Sequence, residues 1–100
     1  EEKRTIGIDF RDLTVEERSF LGRNTGLKIV NIRLDSPAYY ANVLVGDYLI
    51  FLDDQPTANV AQAMKMFQAI DWSKRSKTVL VVIRDNQEMD IEVDLASDRR

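Results

Sequence analysis

Apolar residues in this chain recur at every second position in several short runs, but hold a helical spacing over a long stretch only once. From Asn59 onward, Val60, Ala63, Met64, Phe67 and Ile70 fall at i, i+3, i+4, i+7 and i+10, which is one apolar face of a helix. Asn59 stands where a capping side chain is needed. The short alternating runs around it must supply the surface that this face covers. That combination predicts a small α+β domain, a partly closed antiparallel sheet or barrel of five to six strands with two to three helices.

The other elements follow from local chemistry. Ile6, Ile8 and Phe10 alternate with Gly7 and Asp9, giving a first strand. A glycine inside a strand marks a bend, a bulge or a close backbone approach. Thr14 followed by Glu17 forms a capping box, and Gly22 is a natural stop for the short helix it opens. Residues 27–34, "LKIVNIRL", read as a central strand, with Val30, Ile32 and Leu34 on one face and Leu27 and Ile29 on the other. Ser36-Pro37 starts a second short helix, which ends before the Gly46-Asp47 turn. "YLIFL" at 48–52 is a buried strand closed by a turn from Asp53 to Pro56. "TVLVVIR" at 78–84, a hairpin turn at Asp85-Asn86 and "MDIEVDL" complete the chain, followed by a frayed tail. Ile91, Val93 and Leu95 alternate with acidic residues, so one face of the last strand is wet.

Composition removes several function classes. With 14 basic and 17 acidic residues the net charge is −3, opposite to the basic face of a nucleic-acid binder. The absence of cysteine excludes disulfides and thiolate chemistry. The absence of histidine removes the usual general base and the commonest metal ligand. No run of eighteen apolar residues is present to cross a membrane as a helix. No cofactor or metal is expected, and no membrane insertion. The opening "EEKR" carries neither an initiator methionine nor an apolar signal region. The chain is therefore expected to be a single domain, with its core at about 5–95, taken from a longer protein.

"IGI" near the start, "DSPAYYANVLVGDYLIFLDDQPT" in the middle and "VLVVIRDNQEMDIEVDL" at the end together resemble a PDZ domain. The likeness is to the circularly permuted type attached to bacterial HtrA/Deg serine proteases. The "DLTVEERSFLG" segment after the first strand also resembles that family. Two positions depart from its pattern: Asn42 and Asp54 stand where glycine is usual. Both residue types tolerate left-handed backbone, at a cost of about 1 kcal/mol each, so the fold is expected to survive.

The resemblance implies a non-catalytic peptide-binding module. The backbone N–H groups of Ile6, Gly7 and Ile8 would hold a peptide's terminal carboxylate, with Arg4 adding charge. Glycine would let several amides converge on one anion and admit the ligand without a Cβ in the way. A peptide strand would pair along Ile8, Asp9 and Phe10. Ile6, Ile8, Val60, Ala63, Met64 and Phe67 would line the groove. Domains of this family that select Ser or Thr two residues before the terminus use a histidine at the start of the long helix. Here that position is near Val60, so an apolar preference is expected.

The implied partners are C-terminal peptides or unfolded segments, in a bacterial periplasm or envelope. Oligomers would form through a protease domain elsewhere in the parent protein. Two other classes remain in view: an assembly domain with an occupied groove, and an enzyme in its own right. Asp53-Asp54 reads as a turn, and Lys74, Arg75 and Lys77 as a solvated loop. Trp72 reads as a packing residue. At least one of Tyr39 and Tyr40 should face solvent.

Overall fold

The computed structural model describes residues 5–97. Six strands form one antiparallel sheet: β1 (Ile8–Asp12), β2 (Leu27–Ile32), β3 (Tyr48–Leu52), β4 (Gln55–Pro56), β5 (Lys77–Arg84) and β6 (Gln87–Asp94). Three α-helices accompany them: α1 (Val15–Leu21), α2 (Pro37–Tyr40) and α3 (Val60–Gln68). The strand path runs β1-β2-β3-β5-β6, with β4 paired to β3 alone. Among the described residues β1 therefore ends the sheet, and its outer edge has no strand partner. Leu27, Ile29, Leu49, Leu80, Val82 and Val93 have no exposed surface and form the centre of the core.

Local sequence chemistry accounts for the helix starts and tight turns. Thr14 and Glu17 form the reciprocal cap of α1, and Gly22 ends that helix with φ +67°. Ser36 and Asn59 cap α2 and α3 by accepting from Tyr39 N–H and Gln62 N–H. The hairpins at Asp53-Asp54 and Asp85-Asn86 each place two residues at φ between 50° and 68°. This left-handed pair matches the twist of the flanking strands. Asn42 and Asp54, the two departures from glycine, lie at φ 65° and 68°.

Several elements differ from the alternation read along the sequence. The first strand begins at Ile8 rather than Ile6, because Gly7 lies at φ +91° and breaks the extended run. The ladder from β1 to β2 slips between Asp9 and Phe10, where Val30 is the extra residue. Beyond this bulge β2 ends at Ile32 instead of reaching Leu34, and Val30 and Leu34, expected on a packed face, are 43% and 69% exposed. Gln55–Pro56, expected as turn, forms a short strand on β3. Met64 is 48% exposed although it shares a periodic face with buried Ala63. Ile70 is buried but lies past the α3 C-cap at Ala69. Leu95–Ser97 turn into a 3-10 helix. Tyr39 and Tyr40 are both partly exposed and meet edge to face at 5.4 Å.

The segment from 11 to 22 is held to the sheet by charge. Arg11 Nη1 and Nη2 donate to the two Glu17 carboxylate oxygens at 2.8 Å each, Lys28 Nζ lies 3.6 Å away, and Tyr48 Oη donates at 3.4 Å. The Arg11 hydrogen bonds, helped by the Thr14 amide, hold the Glu17 carboxyl down at about 2 against the opposing effect of burial. A carboxyl depressed in the folded state stabilises above its ordinary value of 4.5, and that contribution is lost as pH falls towards about 2. Glu17→Gln should therefore lower the thermal midpoint at about pH 6. The gap from the parent should narrow as pH falls below about 4.5 and close only below about 2. Thermal melts of both proteins across that window check it.

Candidate functional site

The turn leading into β1 takes left-handed backbone at Gly7. At Gly7 (φ +91°) an added Cβ would overlap Ser36 Cβ and Oγ. Glycine is therefore required by the close approach of the α2 cap. The sequence reading gave this glycine to the approach of a ligand; the direction of its missing side chain, towards Ser36, corrects that reason.

Hydrogen bonds fix the turn from behind. Ala38 N–H donates to the Ile6 carbonyl at 3.0 Å and Arg33 N–H to the Gly7 carbonyl at 2.8 Å. Among the described residues the Gly7 N–H meets only the Thr5 hydroxyl, at 3.3 Å, longer than an ordinary N–H···O bond. With Arg33 bonded to Gly7 and Asp9 opposite Asn31, antiparallel alternation turns the Ile8 peptide groups away from β2. Past the bulge, Ile29 exchanges its bonds with Gly46 and Asp47 on the β3 side, so Phe10 opposite it also faces the free edge.

Helix α3 stands beside that edge. The Phe10 and Phe67 rings lie 5.6 Å apart at 31°, and Val60 N–H donates to Asp12 Oδ1 at 2.8 Å. These two contacts join the floor strand to the helix wall. Ile6 and Ile8 are buried and belong to the main core; Val60 and Phe67 are partly buried against it, Ala63 is fully covered and Met64 is open to solvent. The structure thus brings Phe10, Val60 and Phe67 together where α3 meets the β1 edge, with Ile6 and Ile8 in the core beside them and Met64 exposed on the helix. Ala63 packs into the core, and Asp9 points out from the opposite face of β1. Arg4 lies outside the described residues. Arg33, which the sequence reading did not single out, lies across from the turn through its backbone bond to Gly7.

Asp12 was also missed. Its bond spans 48 residues, and nothing near Asp12 in the sequence signals it. Losing this cap should cost about 1 kcal/mol. Asp12→Ala should lower the urea midpoint accordingly, while Asp12→Asn, which keeps an accepting oxygen, should stay near the parent.

Two further acidic positions have structural partners. Asp53 accepts from Thr78 Oγ1, Val79 N–H and Arg75 at 2.8, 3.0 and 2.7 Å. Lys77 pairs with Glu92 at 3.1 Å. Arg75 and Lys77 of the basic loop are thus engaged in ion pairs.

Residues 5–95 match the PDZ domain family. The chain is a PDZ domain. The fold agrees with that of the HtrA3 PDZ domain bound to a phage-derived ligand (FGRWV), at a TM-score of 0.74 and 20% identity, covering 92% of this chain and 84% of that one. It also agrees with the HtrA-type protease AlgW with tripeptide, at a TM-score of 0.73 and 25% identity, covering 88% of this chain and 29% of that one. In sequence the PDZ domain is 28% identical over 60 residues to Protease Do-like 8, chloroplastic, of Arabidopsis thaliana. It spans 13% of that relative's length.

Proposed function

We propose that this PDZ domain binds C-terminal peptides, or exposed apolar segments of unfolded proteins, by strand addition to β1. The observation that carries this reading is the free edge of β1. Outward peptide groups at Ile8 and Phe10 run beside α3 and end at a turn where, among the described residues, the Gly7 N–H reaches the Thr5 hydroxyl at 3.3 Å. Main-chain bonding to such an edge supplies affinity, and side-chain pockets supply selectivity. Amides donating to an ionised carboxylate form bonds about twice as strong as neutral ones. Affinity in the micromolar range, about −8 kcal/mol, is expected for short peptides. The HtrA3 PDZ domain and AlgW, similar in fold, are described with peptide ligands.

The domain serves, on this proposal, as the substrate-recognition or regulatory part of an HtrA/Deg-type serine protease of the bacterial periplasm or cell envelope. Catalytic residues would belong to another domain of that parent. Titration of the isotope-labelled domain with a C-terminal peptide tests the reading. The amides of Ile6, Gly7, Ile8 and Phe10 and the α3 residues from Val60 to Phe67 should shift in a saturable way. An unresponsive groove would contradict it and favour an assembly role. Because Val60 replaces a histidine at the head of α3, a peptide library should show no preference for Ser or Thr two residues before the terminus.

A further inference from the structure

We infer that the groove selects peptides whose last-but-one residue is basic, and that Asp9 is the residue that reads it. This rests on the strand-addition reading above, which fixes the register. A carboxylate held at the Ile6, Gly7 and Ile8 amides sets the last ligand residue level with the outward Ile8 carbonyl. The residue two back then exchanges both bonds with Phe10, and the one between stands opposite Asp9. Directly opposed residues in neighbouring strands share a face, with Cβ atoms about 5 Å apart. The last-but-one side chain therefore leaves the groove and lies over Asp9.

The charge there is available. Asp9 is exposed and accepts from Asn31 Nδ2 at 3.1 Å, a bond that positions the carboxylate without neutralising it. None of the ion pairs among the described residues includes Asp9. Arg11, next along the same face, is occupied by both Glu17 oxygens. Arg33 lies opposite Gly7, at the end of the groove where the ligand's own carboxylate would be. Asp9 is thus an anion outside every ion pair among the described residues, one residue further in than the turn that would take the ligand's carboxylate.

Exposed ion pairs contribute little, about 1.5- to 5-fold in affinity, and like charges cost a similar amount. Two N-acetylated peptides with free carboxylates, Ala-Ala-Val-Lys-Val and Ala-Ala-Val-Glu-Val, provide the test by isothermal titration. The lysine peptide should bind about fivefold more tightly at low salt, and Asp9→Lys should reverse the order. Equal affinities in the parent domain, or a lysine preference that survives Asp9→Lys, would overturn the assignment while leaving strand addition intact. Failure of both peptides to bind would overturn strand addition and the assignment with it.

Discussion

Replacing Gly7 by alanine should destabilise the domain by about 3 kcal/mol. The position lies at φ +91°, and forcing a Cβ into left-handed backbone costs about 1–2 kcal/mol. The new methyl also overlaps the Cβ and Oγ of Ser36. Ser36 is itself fixed as the α2 cap, accepting from Tyr39 N–H at 3.2 Å, so it cannot simply rotate away. Overpacking of this kind typically costs a further 1–3 kcal/mol, roughly. In a domain of this size the sum shifts the thermal midpoint by about 15 °C. Ser36→Gly removes both overlapping atoms and weakens the cap by only a few tenths of a kcal/mol, roughly. The double variant should therefore recover part of the loss, leaving the backbone strain. A midpoint for Gly7→Ala close to the parent's would show that the turn yields freely, and that the close contact with α2 does not define it.

Loss of Arg84 should be comparably severe. Asp47 is 2% exposed, and Arg84 donates to its two oxygens from Nε at 2.9 Å and Nη2 at 2.6 Å. Arg84 also donates to the Asn42 carbonyl, and Leu44 N–H to Asp47 Oδ2. The Asp47 carboxylate keeps the guanidinium charged, raising its pKa, and burial only partly opposes this. Arg84→Met retains the apolar stem but leaves a buried carboxylate without its counter-ion, at about 3–5 kcal/mol. The damage should reach the groove, because the Gly46-Asp47 turn exchanges hydrogen bonds with Ile29 on β2, the strand that supports β1. Asp47→Asn in the Arg84→Met background should cost less than the sum of the single changes, since the two residues act as a unit. Urea unfolding of the four proteins measures the coupling. Additive losses would show that the pair is not coupled.

Much of the architecture is legible from neighbouring residues alone. Thr14 with Glu17, Ser36 with Pro37, and Asn59 before an apolar face each announce a helix start, because the capping groups and the amides they satisfy lie within one turn of each other. Asp85-Asn86 announces its hairpin in the same way, through two residues that accept left-handed angles. Features set by distant chain segments are not legible. Gly7 reads as a residue inside a strand until Ser36 is folded against it. Val30 and Leu34 continue an apolar run, yet a bulge and the approach to α2 turn them to solvent. The Asp12 bond to the α3 terminus joins residues 48 apart, and the Asp47–Arg84 pair joins residues 37 apart. No local pattern encodes either. The contact that demands glycine at position 7 and the cap at Asp12 both depend on segments that only folding brings together.

Calorimetric titration with one apolar peptide, prepared once with a free carboxyl terminus and once amidated, tests the proposed capture of an anion at the turn with least ambiguity. The free form should saturate at micromolar affinity, and the amide should lose at least about tenfold, the loss of charge-assisted bonds from two or more main-chain donors. Indistinguishable affinities for the two forms would contradict the account.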